Sequence, residues 1–148
     1  MLVRTEGFNA LSAKYRPDGV TKRIVKEITQ TLFETVVRKV SPHTKTGKLE
    51  RSIAHTVKGL RGQVSQGDQS TMVNGKNYGI FVHFGTKPHI IKPKNKKTLR
   101  FASSGNFIFS KVVHHPGYRG DPFMDHAKEE VNRKANSMIE RIVNEYDI

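Results

Sequence analysis

The sequence predicts an α+β domain in which a small, mostly antiparallel sheet is packed by two long amphipathic helices, one N-terminal and one C-terminal, with one short central helix. Three observations carry this. Apolar residues recur at helical spacing at Val20, Ile24, Ile28, Leu32, Val36 and Val40;. They do so again from Phe123 through Ala127, Val131, Ala135, Met138, Ile142 and Tyr146;. Between these stretches lie short runs of β-formers broken by glycine-bearing turns. The 148 residues suit one domain;. A domain of about 150 residues buries roughly 68–70% of its unfolded surface, so its stability needs neither disulfide nor metal. Residues 18–148 are expected to form that domain, with residues 1–17 as an irregular arm ending at Arg16-Pro17;.

Each element follows in order. Asp18-Gly19 is placed to cap the first helix, and Ser41-Pro42 stops it, because proline disfavours helical backbone before it;. Residues 44–50 read as loop followed by a single turn. Ile53 to Gln66, interrupted by Gly59-Leu60-Arg61-Gly62, reads as a hairpin;. Residues 67–77 are turn-rich and expected to be an exposed loop. Tyr78, Phe81, Val82 and Gly85 recur at three- and four-residue spacing, which favours a short helix with Gly85 as its C-cap over a buried strand;. Ile90-Ile91, Thr98 to Phe101 and Phe107 to Val113 read as strands, with a turn at Ser103 to Asn106. The last helix is expected to have Asp121 as its cap and Pro122 at its first position;.

Composition excludes several functions. The absence of cysteine removes disulfide scaffolds, thiolate zinc sites and cysteine nucleophiles;. No apolar run reaches the roughly 18 residues of a spanning helix, and the N-terminus has no apolar stretch of signal-peptide length;. A protein made in the cytoplasm, with no membrane partner, is expected. The net charge of +13 is concentrated. Residues 37–119 hold sixteen basic side chains against Glu50 and Asp68, whereas residues 120–148 hold four basic and seven acidic ones. Such asymmetry suits a basic surface facing phosphate, or a basic face docking on the acidic face of a neighbour.

Nothing in the spacing points to catalysis or to a bound cofactor or metal. None of His43, His55, His83, His89, His114, His115 and His126 has the helical i, i+4 pairing of zinc-binding histidines;. His114 and His115 are adjacent on a strand end, so they point to opposite faces, and His115 is expected to bond locally at Pro116-Gly117;. Asp121 and Asp125 share a face at a helix start, where the dipole alone favours acids. There is no G-x-S-x-G elbow, and Thr46-Gly47-Lys48 lacks the earlier glycine of a phosphate loop;. The densest local signal is basic. Lys92, Lys94, Lys96, Lys97 and Arg100 lie on a loop entering a strand, where they can follow a phosphate backbone or meet an acidic partner;.

Several segments, in order, resemble the neck or tail-completion proteins of tailed phages, the minor capsid components that join the DNA-filled head to the tail. They are Thr46-Gly47-Lys48-Leu49 with Ser52-Ile53, Tyr78 through Phe84-Gly85-Thr86, His115-Pro116-Gly117, and Pro122-Phe123 with Ala127. They span residues from about 44 to 128. The chain departs from the family at His83, where glutamate is common, and at Asp125-His126, where Arg-Pro is frequent. Physically, Gly85 and Gly117 permit positive φ, Pro116 and Pro122 stiffen the route into the last helix, and Phe84 and Phe123 are expected as core anchors. The resemblance implies a structural virion protein, assembled in the host cytoplasm as a ring of six or twelve copies. Its partners would be itself, head-completion and tail-terminator or tail-tube proteins, and non-specific double-stranded DNA. The alternative is a stand-alone basic nucleic-acid-binding module. Its double-stranded-RNA-binding arrangement, however, wants cations on the last helix, and here that helix opens with Asp121, Asp125, Glu129 and Glu130;. A small nuclease using His83, His114 or His115 as base is a third class, with no acid placed by spacing to orient it.

Overall fold

The computed structural model describes residues 2–4, 19–44, 46–67, 71–73 and 75–146. The α+β class holds, with two long helices, a short central helix and small antiparallel sheets. Helix α1 (Val20–Val40) buries Ile24, Ile28, Leu32, Val36 and Val40, the stripe read from the sequence. Gly19 is its cap residue and supplies no side-chain bond; Asp18 lies outside the described residues. The helix ends in a 3₁₀ turn over Ser41–His43. Gly47, at φ +69°, starts the one-turn helix α2 (Lys48–Arg51), which delivers Leu49 wholly into the core.

Strands β2 (Ile53–Lys58) and β3 (Arg61–Gln66) form the expected hairpin. The arm expected to be irregular contributes strand β1 (Leu2–Arg4), which pairs antiparallel with the free edge of β3; the unpaired edge is a template for a further strand. The rest of the arm lies outside the described residues. This three-stranded sheet, ordered β1-β3-β2, rests on α1. A Cβ at Gly62 would overlap the Thr29 side chain, so the helix lies flush on β3 there. Within the segment expected to be an exposed loop, β4 (Met72–Val73) pairs with β5 (Lys76–Asn77), and Thr71 is fully buried. Thr71 lies just before β4, and its burial is one that turn composition does not reveal.

Helix α3 (Tyr78–Phe84) follows directly. Asn77 caps it, its Oδ1 accepting from the Gly79 amide at 2.9 Å, and Gly85 is the C-cap residue, as expected. Strand β6 (His89–Ile91) pairs with β9 (Val113–His115), and between them β7 (Leu99–Ser103) pairs with β8 (Asn106–Ser110) around a turn with positive φ at Ser104 and Gly105. The single strand read over 107–113 is two strands. The Ser110 hydroxyl donates to the Val112 carbonyl at 2.6 Å and closes a local turn between them. Among the described residues the strands therefore divide into four small sheets.

Helix α4 (Phe123–Asn144) runs antiparallel to α1 and buries Phe123, Met124, Ala127, Val131 and Ile142. Pro122 is the cap residue itself, and Asp121 makes no capping bond. Its carboxylate is taken by His43 at 2.7 Å and its amide by the Val82 carbonyl at 2.8 Å, so tertiary contacts outcompete the local cap. Ion pairs close both ends of the helix pair. Arg23 meets Glu145, and Arg141 meets Glu27 at 2.6 Å; at the other end Arg38 and Lys39 reach Glu130 at 2.6 and 3.2 Å. Burial works against ionisation of Glu27, yet its partners Arg23 and Arg141 outweigh it and hold its carboxyl below the usual range. Hydrogen bonds from Lys134 and Lys39, with Arg38 beside them, lower the Glu130 carboxyl to about 2.

A carboxyl depressed in the folded state stabilises above its unfolded pKa and loses that contribution as pH falls toward the folded value. Glu130→Gln is therefore expected to lower the melting temperature at neutral pH and to flatten its decline between about pH 5 and pH 2. Thermal melts of both proteins across that range check this; parallel acid limbs would deny Glu130 the role.

Candidate interaction surface

The segments singled out in the sequence lie far apart along the chain, and most of them converge in space. Thr86 and Tyr118 exchange backbone hydrogen bonds at 2.7 and 2.9 Å. A Cβ at Gly85 would overlap the Tyr118 carbonyl, and one at Gly117 the Thr86 carbonyl. Both glycines also have positive φ, at +80° and +88°;. The loop 117–121 therefore lies backbone to backbone against the end of α3. His115 sets its corner. Its Nδ1 accepts from the Gly117 amide at 3.0 Å, the local bond expected at Pro116-Gly117, and its ring stacks on His89 with centroids 4.9 Å apart. Pro122 is exposed and Phe123 is buried beneath them, so Phe123 is the core anchor expected. Thr46 and Gly47 stand apart from this junction, where they shape the approach to α2; the Thr46 carbonyl accepts from Arg51 at 3.1 Å.

Phe84 is not a core anchor: it is 65% exposed. The buried member of its helix is His83, which occupies the inward position with its ring edge against Phe84 and Phe123. A seven-residue helix has one inward face, and His83 and Gly79 take it, turning Phe81 and Phe84 outward. His83 Nε2 lies 3.1 Å from Asp125 Oδ2, while its buried Nδ1 has no hydrogen-bond partner among the described residues. Asp121 sits between two histidines. It accepts from His43, and His126 Nδ1 comes within 3.1 Å of its other oxygen without hydrogen-bond alignment. These acid–histidine pairs, up to 78 positions apart, are invisible to spacing. They fasten the start of α4 to α3 and to the end of α1. Among the described residues no group of three or more such side chains is arranged to hold a metal ion.

The junction frames an open, apolar groove of about 760 Å³. Tyr78, Phe81 and Val82 of α3 form one wall, His89 and Ile91 of β6 another, and His115 and Tyr118 the third. Phe84 and Ile90 are exposed on the same elements. From the ends of β6 and β9 springs an arm, residues 92–112, tipped by the β7–β8 ribbon. Lys92, Lys94, Lys96, Lys97 and Arg100 all lie on it and all are exposed. Among the described residues none of the five is in an ion pair; Arg100 instead lies over the Phe107 ring at 4.5 Å. The arm carries no acidic residue.

The ribbon holds what sequence reasoning missed. Phe101, Phe107, Ile108 and Phe109, read only as strand residues, are exposed. The available signal was the unalternated run Phe107-Ile108-Phe109, which cannot hide both of its faces in a two-stranded ribbon. Compared with protein-family models, curated proteins and solved structures, the chain matches none.

Gly85→Ala is expected to destabilise the protein by more than a kilocalorie, since it combines a strained φ with overlap on the 118–119 backbone;. Urea unfolding gives the cost, and faster amide exchange at Tyr118 and Thr86 would localise it to this junction. Unchanged exchange there would mean that the close approach is not what the glycine serves.

Proposed function

We propose that the chain is a head-to-tail joining protein of a tailed phage, a neck or tail-completion component that acts by forming a ring segment between the DNA-filled head and the tail. The observation that carries this reading is the combination, in one small chain, of a basic ribbon left apolar on both faces and a separate apolar groove. A protein that works alone covers such surfaces; one that works by assembly presents them. The ordered motif pieces support the phage assignment. Three of the four meet at the junction that builds the groove, so they shape a contact surface, as a protein whose role is architecture requires. The cations of the arm fit DNA passing the neck or an acidic neighbouring protein.

A stand-alone nucleic-acid-binding module is the second reading, favoured by the same unpaired cations. Against it, α4 opens with Asp125 and Glu129 exposed, which repels phosphate from the helix N-terminus that such modules offer it;.

Two measurements separate these readings. In a phage that encodes this chain, its deletion is expected to yield filled heads and free tails that fail to join, with the chain found in intact particles by mass spectrometry. Particles that join normally without it would end the neck reading. Duplex binding is expected to be weak, independent of sequence and salt-sensitive. Each phosphate neutralised contributes about −0.9 to the slope of log K against log salt, so Lys94/Lys96/Lys97→Ala should flatten the slope by up to about 3. An unchanged slope would turn those lysines toward protein.

A further inference from the structure

We infer that the tip of the β7–β8 ribbon docks, head to tail, into the α3–β6 groove of a second copy of this chain. The inference rests on the neck reading only in naming a repeated ring contact; the contact itself follows from two surfaces.

The ribbon is one of them. Cross-strand partners share a face, so Arg100, Phe109, Ala102 and Phe107 lie on one side and Phe101 with Ile108 on the other;. Both sides are apolar and both are exposed. An isolated two-stranded ribbon is marginal in water, and among the described residues this one makes its substantial contacts only within itself;. Among those residues it lacks the packing that a stable ribbon needs, and a second molecule would supply it.

The groove is the other surface, and no residue of the arm lines it. With Phe101, Phe107 and Phe109 exposed by 38%, 59% and 63%, and Ile108 beside them, the ribbon leaves on the order of 400 Å² of apolar area;. One side of a standard interface is about 800 Å², a little over half of it apolar. Of the residues that line the groove, Phe81 and Tyr118 are exposed and Tyr78, Val82 and Ile91 half-buried, an apolar lining that accepts the tip of the ribbon.

The groove's lining includes Lys87, His89 and His115, and its acids come from the neighbouring start of α4. The Asp121 amide bond to Val82 and the contact of Asp125 with His83 hold the acidic opening of α4 beside the groove. The ribbon brings Arg100 and Lys111 at its base and no acid. Duplex DNA would satisfy those cations, but it admits a phenylalanine only by unstacking a base step, and three exposed phenylalanines would need that cost repeatedly, so a protein surface is the better occupant of the tip. Because donor and acceptor are different patches, the contact is heterologous and repeats around a ring.

Complementation tests this directly. A ribbon variant, Phe107→Asp/Phe109→Asp, keeps its groove; a groove variant, Phe81→Asp, keeps its ribbon. In sedimentation at concentrations up to about 1 mM and at about 0.5 M salt, which screens the repulsion between copies, the parent chain is expected to associate and each variant to associate at least tenfold more weakly. An equimolar mixture of the two variants should then form one-to-one dimers and nothing larger, since only one contact can form. Circular dichroism melts confirm folding, and if Phe81→Asp lowers the melting temperature, Tyr118→Asp, at an exposed side chain that also lines the groove, replaces it. In solution, four results would overturn the contact: a parent monomeric throughout, variants that associate like the parent, a mixture that stays monomeric, or a ribbon variant whose loss appears in duplex binding instead. Joining of heads to tails by the ribbon variant would overturn this contact and leave the neck reading standing. A contact confirmed in solution, in a chain absent from particles, would do the reverse.

Discussion

The antiparallel packing of α1 on α4 is the constraint on which the other elements depend. Val36 and Val40 at one end of the pair, with Phe123, Met124 and Ala127 opposite, form the driest part of the core. Leu49 is inserted from α2, and Ile53 and Val64 from the sheet. Buried aliphatic and aromatic side chains stabilise by about 1.5–3 kcal/mol each, whereas exposed ion pairs give at most about 1. The ion pairs at both ends of the helix pair thus select its alignment more than they supply its stability. Once that alignment is fixed, the start of α4 is fixed too. With it comes the position of Asp121 and Asp125, and through their histidines the position of α3.

The junction between α3 and the 117–121 loop is held in a different way. Few apolar side chains connect it to the core; Tyr78, Val82 and Phe123 supply most of that link. What defines it is close backbone approach at Gly85, Gly117 and Gly120, two mutual hydrogen bonds between Thr86 and Tyr118, and the side-chain chain Ser52–Gln66–Asn77 that anchors the N-terminus of α3. Backbone contacts of this kind fix distance and orientation well and leave the side chains free to face outward. A binding surface needs that combination, and Phe81, Phe84 and Tyr118 are free to serve it.

Much of this was legible in the sequence, for physical reasons that differ by element. The two long helices were visible because a 3.6-residue period sustained over five or six turns has no other explanation. The β2–β3 hairpin and the C-cap at Gly85 were visible because turn residues have few conformational alternatives. The depth of Phe84 was not, because a short helix exposes and buries residues according to which face its neighbours choose, and those neighbours come from residues 117–125. Asp121 was misread as a cap for the same reason: its partner His43 is 78 positions away. The arm was half legible. Its cations announced a surface, but the apolar run after them has the composition of a core strand, and only the pairing partner reveals that no core lies against it.

The arm also joins two opposed physical demands. An exposed apolar ribbon invites indiscriminate pairing, and natural edges are protected by nearby lysines and short strands. Here Lys92, Lys94, Lys96, Lys97 and Lys111 flank strands of five residues each. At +13 per copy, chains repel one another at low salt, and that repulsion grows with every subunit added to a ring;. A ribbon-to-groove contact of modest area would then hold poorly among free copies and well wherever the charge is neutralised, by phosphate or by an acidic neighbouring protein. On the neck reading, the packaged DNA or an acidic neighbouring protein supplies that charge. The same cations that keep the ribbon from pairing at random would thereby make its proper pairing depend on an anionic neighbour.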